Sequence, residues 1–524
     1  MTNNRARREF LRLLGVGGAR LALGALGVSA FARHAFADDH CATGSWGRLV
    51  GNVGGWTCDN HSGYKILEIY LNLGASQWES FWLPGMGSPN FSDYGMGSLA
   101  LSDLDWGANT GDFPCQAPDI PADFDDAQLF STQSGGGNIY WGAPTRPIYQ
   151  RSNIFSRCRM VTQYHDLLPH EAAIPYVLSG LRLGNARRAG AGTAIQHRAR
   201  VVEPEQLLPV SYVLHRGAFA SPDAASVTGT HPGFARPVVI RIQDDNAFVN
   251  SLARSGVSSE SDELFLALRH EYRDRLRFRG AGSPVRSTDF EGYWVAAELL
   301  ENAPAMQALF GDNILVRDTN VATCPEHPAA TEPNTPAIKT MLDAAASLLS
   351  SGPARYVCAI DNGITNTYDT HGDGSSMHLL RTSANIYNVM HHLADIIHHP
   401  VDNPDGTLDL DDTMVVINTD FNRTPGINGN NGRDHWPYGY LTTFIGGPIS
   451  GGQSILGRID NAGFTEPQYR YSATDMRAAV LLAAGVDPFA ENNYRVSDFS
   501  EAIQSGIATE AQIRDRLKGD ILGV

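Results

Sequence analysis

The chain has 524 residues, of which 42% are hydrophobic and 18% charged, and a formal net charge of −16. That composition belongs to globular rather than disordered proteins, and the length alone suggests two to four domains. The acidic balance argues against nucleic acid and anionic membrane surfaces as partners, because both select for basic patches, whereas a local Arg or a metal can still hold an anionic substrate.

The first 37 residues read as a targeting segment, apart from the fold. Arg7-Arg8-Glu9-Phe10-Leu11-Arg12 has the look of a twin-arginine export signal, and Ala35-Phe36-Ala37 gives a small-x-small cleavage pattern. The competing reading is an uncleaved anchor, but Arg20 interrupts the apolar run and Leu21–Ala32 is too short to span a bilayer. The expectation is passage through the twin-arginine machinery and a periplasmic or extracellular mature chain beginning near Asp38, with no stable membrane insertion. Such substrates leave the cytoplasm folded, often with a cofactor in place.

Six cysteines follow: Cys41, Cys58, Cys115, Cys158, Cys324 and Cys358. In an oxidising compartment they permit three disulfides in 15 possible connectivities, with Cys41–Cys58 the best local pair. The absence of C-x-x-C argues against a cysteine zinc site, and Cys158 and Cys358, in or beside apolar runs, read as buried thiols.

In chain order, GYKILEIYLNLGASQWESFW, ending at Trp82, reads as a strand, a Gly-Ala-Ser turn and an aromatic segment. Residues 84–150 are rich in Gly, Pro and Asp and read as a loop-rich insertion. Met160–Thr162 reads as a strand, Pro169–Arg182 as a helix interrupted near Pro175, and Val238–Ile242 as a strand. Helices are expected over Glu260–Phe278 and Ala337–Ser350. A compact alternation follows: strand Tyr356–Ile360, helix Met377–Ile397, turn Asn403-Pro404-Asp405-Gly406, Leu408–Asp412, and a strand from Met414 ending in Asp420. A second apolar run, YLTTFI, closes on Gly446-Gly447, and a helix over Ala473–Ala484 ends at Gly485. Strands alternating with helices of this length predict βαβ units and a parallel sheet. No internal repeat is visible.

Two loop clusters carry ligand-type side chains. One is Asp369-Thr370-His371, after strand 356–360; the other is Asp420, Arg423 and Asp434-His435, within Met414–Gly452. Ligands of parallel sheets bind beyond the carboxyl ends of the strands, where these residues fall. Zinc, and after it manganese or iron, would accept an Asp/His shell, whereas calcium wants more oxygens. The competing reading is loop hydrogen bonding, with Arg423 pairing Asp434. His165 and His170, after strand 160–162, are placed to face the same crevice. His391-His392 and His398-His399 lie on or at the end of one helix and suit its C-terminal dipole better than a metal. Asn403–Gly406 with Asp409, Asp411 and Asp412 lacks the EF-hand order and reads as a solvated turn. His231-Pro232-Gly233, before a strand, reads as structural.

The segments YDTHG, DDTMVVINTDFNRTPGINGNNGRDHW and TTFIGGPISGG closely resemble the exported bacterial domain-of-unknown-function family 1501, and LPHEAAIPYVLSG, HPGFARPVVI and SATDMRAAVLLAAGVDP follow in its usual order. The resemblance spans roughly Tyr64 to Ser497. That family is similar to the alkaline phosphatase/sulfatase superfamily, which implies an α/β fold: three layers, a mainly parallel sheet flanked by helices, in a single large domain over residues 38–524. It implies a two-metal site at strand ends, with Asp369, His371 and His435 around one ion and Asp420 at the second. Asp420 and Arg423 would be catalytic, Arg423 stabilising charge on a transferring phosphoryl or sulfuryl group.

The chain also departs from the superfamily. Gly74-Ala75-Ser76-Gln77 stands where a metal-binding Asp is usual, Phe421 follows Asp420 where His is usual, and no nucleophile motif or C-x-P-x-R occurs. Ser76 is the nearest nucleophile candidate by position, and Asp434 and His170 complete the candidate list. One divalent ion is therefore expected rather than two. The leading expectation is a metal-dependent hydrolase of small-molecule or polymer phosphate or sulfate esters. The rival is a non-catalytic exported binding protein that keeps the fold. A Ser-His-Asp esterase is disfavoured because no G-x-S-x-G elbow occurs.

Overall fold

The alternation of side chains along the central strand decides the layering. Strand β1 (Lys65–Leu71) sends Leu67, Ile69 and Leu71 into one apolar cluster and Ile66 and Tyr70 into another, so both faces of its sheet are covered. The computed structural model describes residues 63–84, 128–133, 137–181, 190–202, 211–216, 236–242, 337–352, 354–363, 368–371, 375–426, 432–449, 452–486 and 509–523, with a few isolated residues between. The expected export segment over residues 1–37, Cys41, Cys58, Cys115, Cys324 and His231–Gly233 lie outside the described residues. Cys158 and Cys358 are buried free thiols.

Among the described residues, seven further strands join β1: β2 (Cys158–Gln163), β3 (Tyr212–His215), β4 (Val238–Arg241), β5 (Tyr356–Asp361), β6 (Thr413–Thr419), β7 (Tyr440–Gly446) and β8 (Ser454–Leu456). Their spatial order is β8-β2-β7-β6-β1-β5-β3-β4, and β7 alone runs against the others. YLTTFI reads as one more parallel strand but is this reversed one. Its Gly446-Gly447 turn therefore lies at the far edge, where Gly447 N–H donates to Leu410 O, while its start at Tyr440 lies at the carboxyl edge.

On one face pack α3 (Ala337–Ser350) and α4 (Ser375–Ile396). On the other pack α1 (His170–Ser179), α2 (Ala191–Val202), α5 (Ala473–Ala483) and the C-terminal α6 (Glu510–Asp515). The result is an α/β fold of three layers with a large mixed sheet. In α3, Ile338, Met341, Leu342, Ala345, Leu348 and Leu349 recur at helical spacing and are buried. A capping box between Ser472 and Asp475 starts α5. Helix α1 runs through Pro175 instead of breaking there, because burial of Ala173–Leu178 holds the turn that the missing N–H weakens.

Within 84–150 the described residues hold more regular structure than the Gly/Pro/Asp content suggests. Gln128–Gln133, Gly137–Trp141 and Leu83–Pro84 form a three-stranded antiparallel sheet, and Trp141 stacks on Phe130 in the core. The described positions between 261 and 271 are helical, in line with the expected helix there. Among the described residues, no helix is long and apolar enough to cross a membrane.

Candidate metal centre

Four strands deliver polar side chains to one edge of the sheet. Beyond β2 come His165 and, at the first position of α1, His170; beyond β5 come Tyr368–His371; beyond β6 comes Asp420. The chain then forms a two-residue ladder, Asn422–Arg423 against His435–Trp436, which sets Arg423 opposite His435 just before β7 begins. The side chains of His170, Asp369, His371 and His435 converge there. One ligand atom from each lies within 4.8 Å of the others, so these four residues could hold a metal ion. At that separation, small rotations bring all four within bonding reach of one cation, at about 2.0–2.2 Å.

The far nitrogens of the three imidazoles decide how they face one another. His435 Nδ1 lies 2.6 Å from Leu168 O, an acceptor only, so Nδ1 carries the proton and Nε2 presents a lone pair. His371 Nδ1 donates to Asp434 Oδ1 at 2.9 Å, and His170 Nδ1 to Asp420 Oδ2 at 2.5 Å. Each ring is thus fixed from behind by a carbonyl or a carboxylate, the arrangement that orients metal-binding histidines. The Nε2 atoms of His371 and His435 stand 2.6 Å apart, and two neutral lone pairs repel at that distance unless a proton or cation lies between them. His170 Nε2 is buried without a hydrogen-bond partner, 3.7 Å from Asp369 Oδ2. The donor set therefore fits a cation.

The electrostatics agree with the geometry. Burial alone would raise Asp369, but His170, Arg423 and His371 hold its carboxyl well below the usual carboxylate range. Burial would lower His170, yet the carboxylates of Asp369 and Asp420 push it up to about 9. Burial, joined by the charges of His170, Arg423 and His371, pushes His435 down to about 4. A proton on His170 thus does what a cation would do, and the two compete for this site. His371 is 40% and Asp369 33% exposed, so the group opens to solvent. On the inner side the buried ring of Phe421 stacks on His170 with centroids 4.7 Å apart and leans on His435 at 4.4 Å.

Asp420, expected from the sequence as a ligand, is not brought into the group. Fully buried, it spends Oδ1 on the Gly74 N–H at 2.6 Å and Oδ2 on His170, while its carbonyl faces His165 Nε2 at 2.7 Å. Arg423 pairs with Asp369 at 2.9 Å rather than with Asp434, and donates to the carbonyls of Leu73, Gly74 and Arg433. Leu73 and Gly74, both at positive φ (70° and 75°), turn those carbonyls toward the guanidinium. A Cβ on Gly74 would come within 2.7 Å of Phe421, so glycine is required. Ser76 is buried and donates to Glu79, facing away from solvent.

The other ligand-like clusters differ. His391, His392 and Asp395 also bring ligand atoms within 4.8 Å, along one side of α4. His399 Nδ1 accepts the Val401 and Asp402 N–H groups. Asp411 and Asp412 pair with Arg157 and Lys65, as expected of a solvated turn. Sequence reading passed over Glu79, His378 and Arg433, which with Thr370 form a buried network behind the centre. The charges of WESFW and of helix 375–396 lie in apolar surroundings, and that was the available signal.

A family described as "Protein of unknown function (DUF1501)" matches residues 152–504, more than half of the chain. The chain belongs to that family. The match takes in His170, the 369–371 loop and the hairpin of His435, so the whole candidate centre lies within the DUF1501 region. No curated protein matches the chain. Among solved structures, one described as "Crystal structure of Ps i-CgsB in complex with k-i-k-neocarrahexaose" aligns at 10% identity, covering 84% of this chain and 76% of that one. Its TM-score of 0.30 is too slight a likeness to bear on this chain's chemistry.

Proposed function

We propose that this DUF1501 protein is an exported, metal-dependent hydrolase of phosphate or sulfate esters on an alkaline-phosphatase-like core. In this reading His170, His371, His435 and Asp369 hold a single divalent cation, zinc ahead of manganese or iron. The observation that carries it is the convergence of three Nε2 atoms whose rings are each held from behind by an acceptor at Nδ1. The openness of His371 and Asp369 favours a reactive over a structural site, since structural zinc sites are closed. The Arg7-Arg8 motif supports export.

When bound, such a cation supplies Lewis acidity toward an ester oxygen and activates water near neutral pH. The protein's own groups do the rest. Asp434 keeps the proton of His371 on Nδ1, and Leu168 O keeps that of His435 on Nδ1. Asp420 acts as the orienting partner of His170, and Arg423 as the clamp that aims Asp369 and keeps it ionised. Phe421 keeps water from the inner side of the group.

A second reading has a specific observation in its favour. Ser76 is buried against Glu79 and the Arg423 guanidinium is committed to carbonyls and Asp369, so neither a serine nucleophile nor this arginine reaches a substrate. That fits a metal-containing binding protein without turnover. Zinc-loaded and apo protein assayed on p-nitrophenyl phosphate and p-nitrophenyl sulfate separate the two. Metal-dependent release that His371→Ala abolishes supports the hydrolase; stoichiometric metal with no release on either ester supports the binder; no metal uptake defeats both.

A further inference from the structure

One buried carboxylate stands behind both loops that carry the candidate ligands. Glu79 is fully buried just past the turn that follows β1. Its Oε1 lies 3.1 Å from His378 Nε2 and 3.1 Å from Arg433 Nη2, and its Oε2 accepts from Ser76 Oγ. A carboxylate only accepts, so His378 carries its proton on Nε2, and Nδ1 is left to accept from Thr370 Oγ1 at 2.6 Å. Thr370 lies between Asp369 and His371. Arg433 lies two residues before His435, and its Nη1 donates to the carbonyls of Thr424 and Pro425 at 2.9 and 2.6 Å, on the opposite arm of the hairpin.

The two loops also meet backbone to backbone. Arg433 N–H donates to Thr370 O at 3.3 Å, and a Cβ on Gly432 would stand 2.2 Å from Thr370 O and 2.3 Å from His371 O. Burial of a bare carboxylate is costly unless it is paired, and here the cation that pairs with Glu79, Arg433, belongs to one ligand loop, while the neutral imidazole that also donates to it, His378 on α4, leads through Thr370 to the other. Glu68 is a useful contrast. It too is fully buried and paired, to Arg477 and to Tyr356 Oη, but it sits mid-sheet and touches neither loop.

We infer that Glu79 is the positioning residue of the metal centre. Through His378 and Thr370 it fixes the loop of Asp369 and His371, and through Arg433 it fixes the loop of Asp434 and His435. The two halves of the ligand set thus stand at cation-binding separation before any metal arrives, as tight sites require. This rests on reading the group as a metal centre.

The test uses the full chain titrated with Co(II), following affinity by chelator competition and the visible absorption bands that report coordination. Glu79→Gln keeps the shape and removes the charge. It is expected to weaken Co(II) binding about 10- to 100-fold and to alter the bands while still unfolding cooperatively. Glu68→Gln is expected to lower thermal stability and leave affinity and bands as in wild type. Should Glu79→Gln fail to fold, Thr370→Val cuts the same chain at its last link, with weaker binding again expected. Wild-type affinity and bands in the folded Glu79 or Thr370 variant overturn the inference, as does an equal change in Glu68→Gln. Failure of the wild-type protein to take up Co(II) instead overturns the metal-centre reading beneath it.

Discussion

The group at the sheet edge and the group on the side of α4 draw on the same residue types, and in both the ligand atoms lie within 4.8 Å of one another. They reach that proximity differently. His391, His392 and Asp395 come from a little over one turn of a single helix, where residues three and four apart are neighbours by construction. The carboxylate is already shared between Arg151 at 3.3 Å and His391 at 3.2 Å, His392 Nδ1 is 4.0 Å away, and the far nitrogen of His392 has no acceptor. His170, Asp369, His371 and His435 come from three separate loops, each held in place at an entropic cost to the backbone. Every histidine among them has its Nδ1 engaged by an acceptor. Proximity of ligand types comes free on a helix; a fixed tautomer at each ring does not, and that distinguishes the edge group.

The largest expected effect breaks the comparison outright. His371→Ala or His435→Ala should take bound metal, read by elemental analysis of the purified chain, from about one equivalent to near zero, whereas His391→Ala should leave it unchanged. Equal losses in the two groups would erase the distinction. A smaller effect tests the acceptors. Asp420→Asn keeps a hydrogen-bonding side chain behind His170 but removes its charge, and should weaken zinc affinity about 10- to 100-fold in chelator competition.

Acid titration sharpens the contrast between the two regions further. Glu79, behind the edge group, is opposed by burial yet held down at about 2 by Arg433 and His378. Asp395 is also held at about 2, burial again opposing and His391 foremost in lowering it, but its side chain is 47% exposed. A depressed folded-state pKa contributes stability that is present above about 4.5 and lost as pH falls toward 2. The urea midpoint of wild type should therefore exceed that of Glu79→Gln at pH 6, and the gap should close as pH falls from 4.5 toward 2. Asp395→Asn should show a much smaller gap at every pH, because solvent screens its pair. The smallest effect belongs to the acidic turn: Asp411→Asn, which loosens an exposed pair with Arg157, should change stability by less than about 1 kcal/mol in urea denaturation.

How much of this was legible follows the same physics. The apolar runs at 65–71, 356–361 and 413–419 and the spacing in 337–350 announced a sheet covered on both faces, because continuous burial leaves a continuous signature. The direction of β7 did not show, since an apolar run reads alike either way along the chain. Asp369, His371 and His435 were legible as ligand types after strands, and His170 as a neighbour of the same crevice. The part played by Asp420 was not, because a strand-end carboxylate reads the same whether it faces a metal or the back of an imidazole. Glu79 and His378 were hidden further, as single polar side chains: Glu79 meets Arg433 354 residues away in sequence and His378 299 residues away. Such pairings exist only once β1, α4 and the hairpin have been brought to one edge.

The most direct test of the account is X-ray absorption at the metal edge of the zinc-loaded full chain. Three imidazole nitrogens with a carboxylate oxygen at about 2.0–2.1 Å are expected, with one imidazole fewer in His170→Ala. A shell without histidine scattering, or one that His170→Ala leaves unchanged, would contradict it.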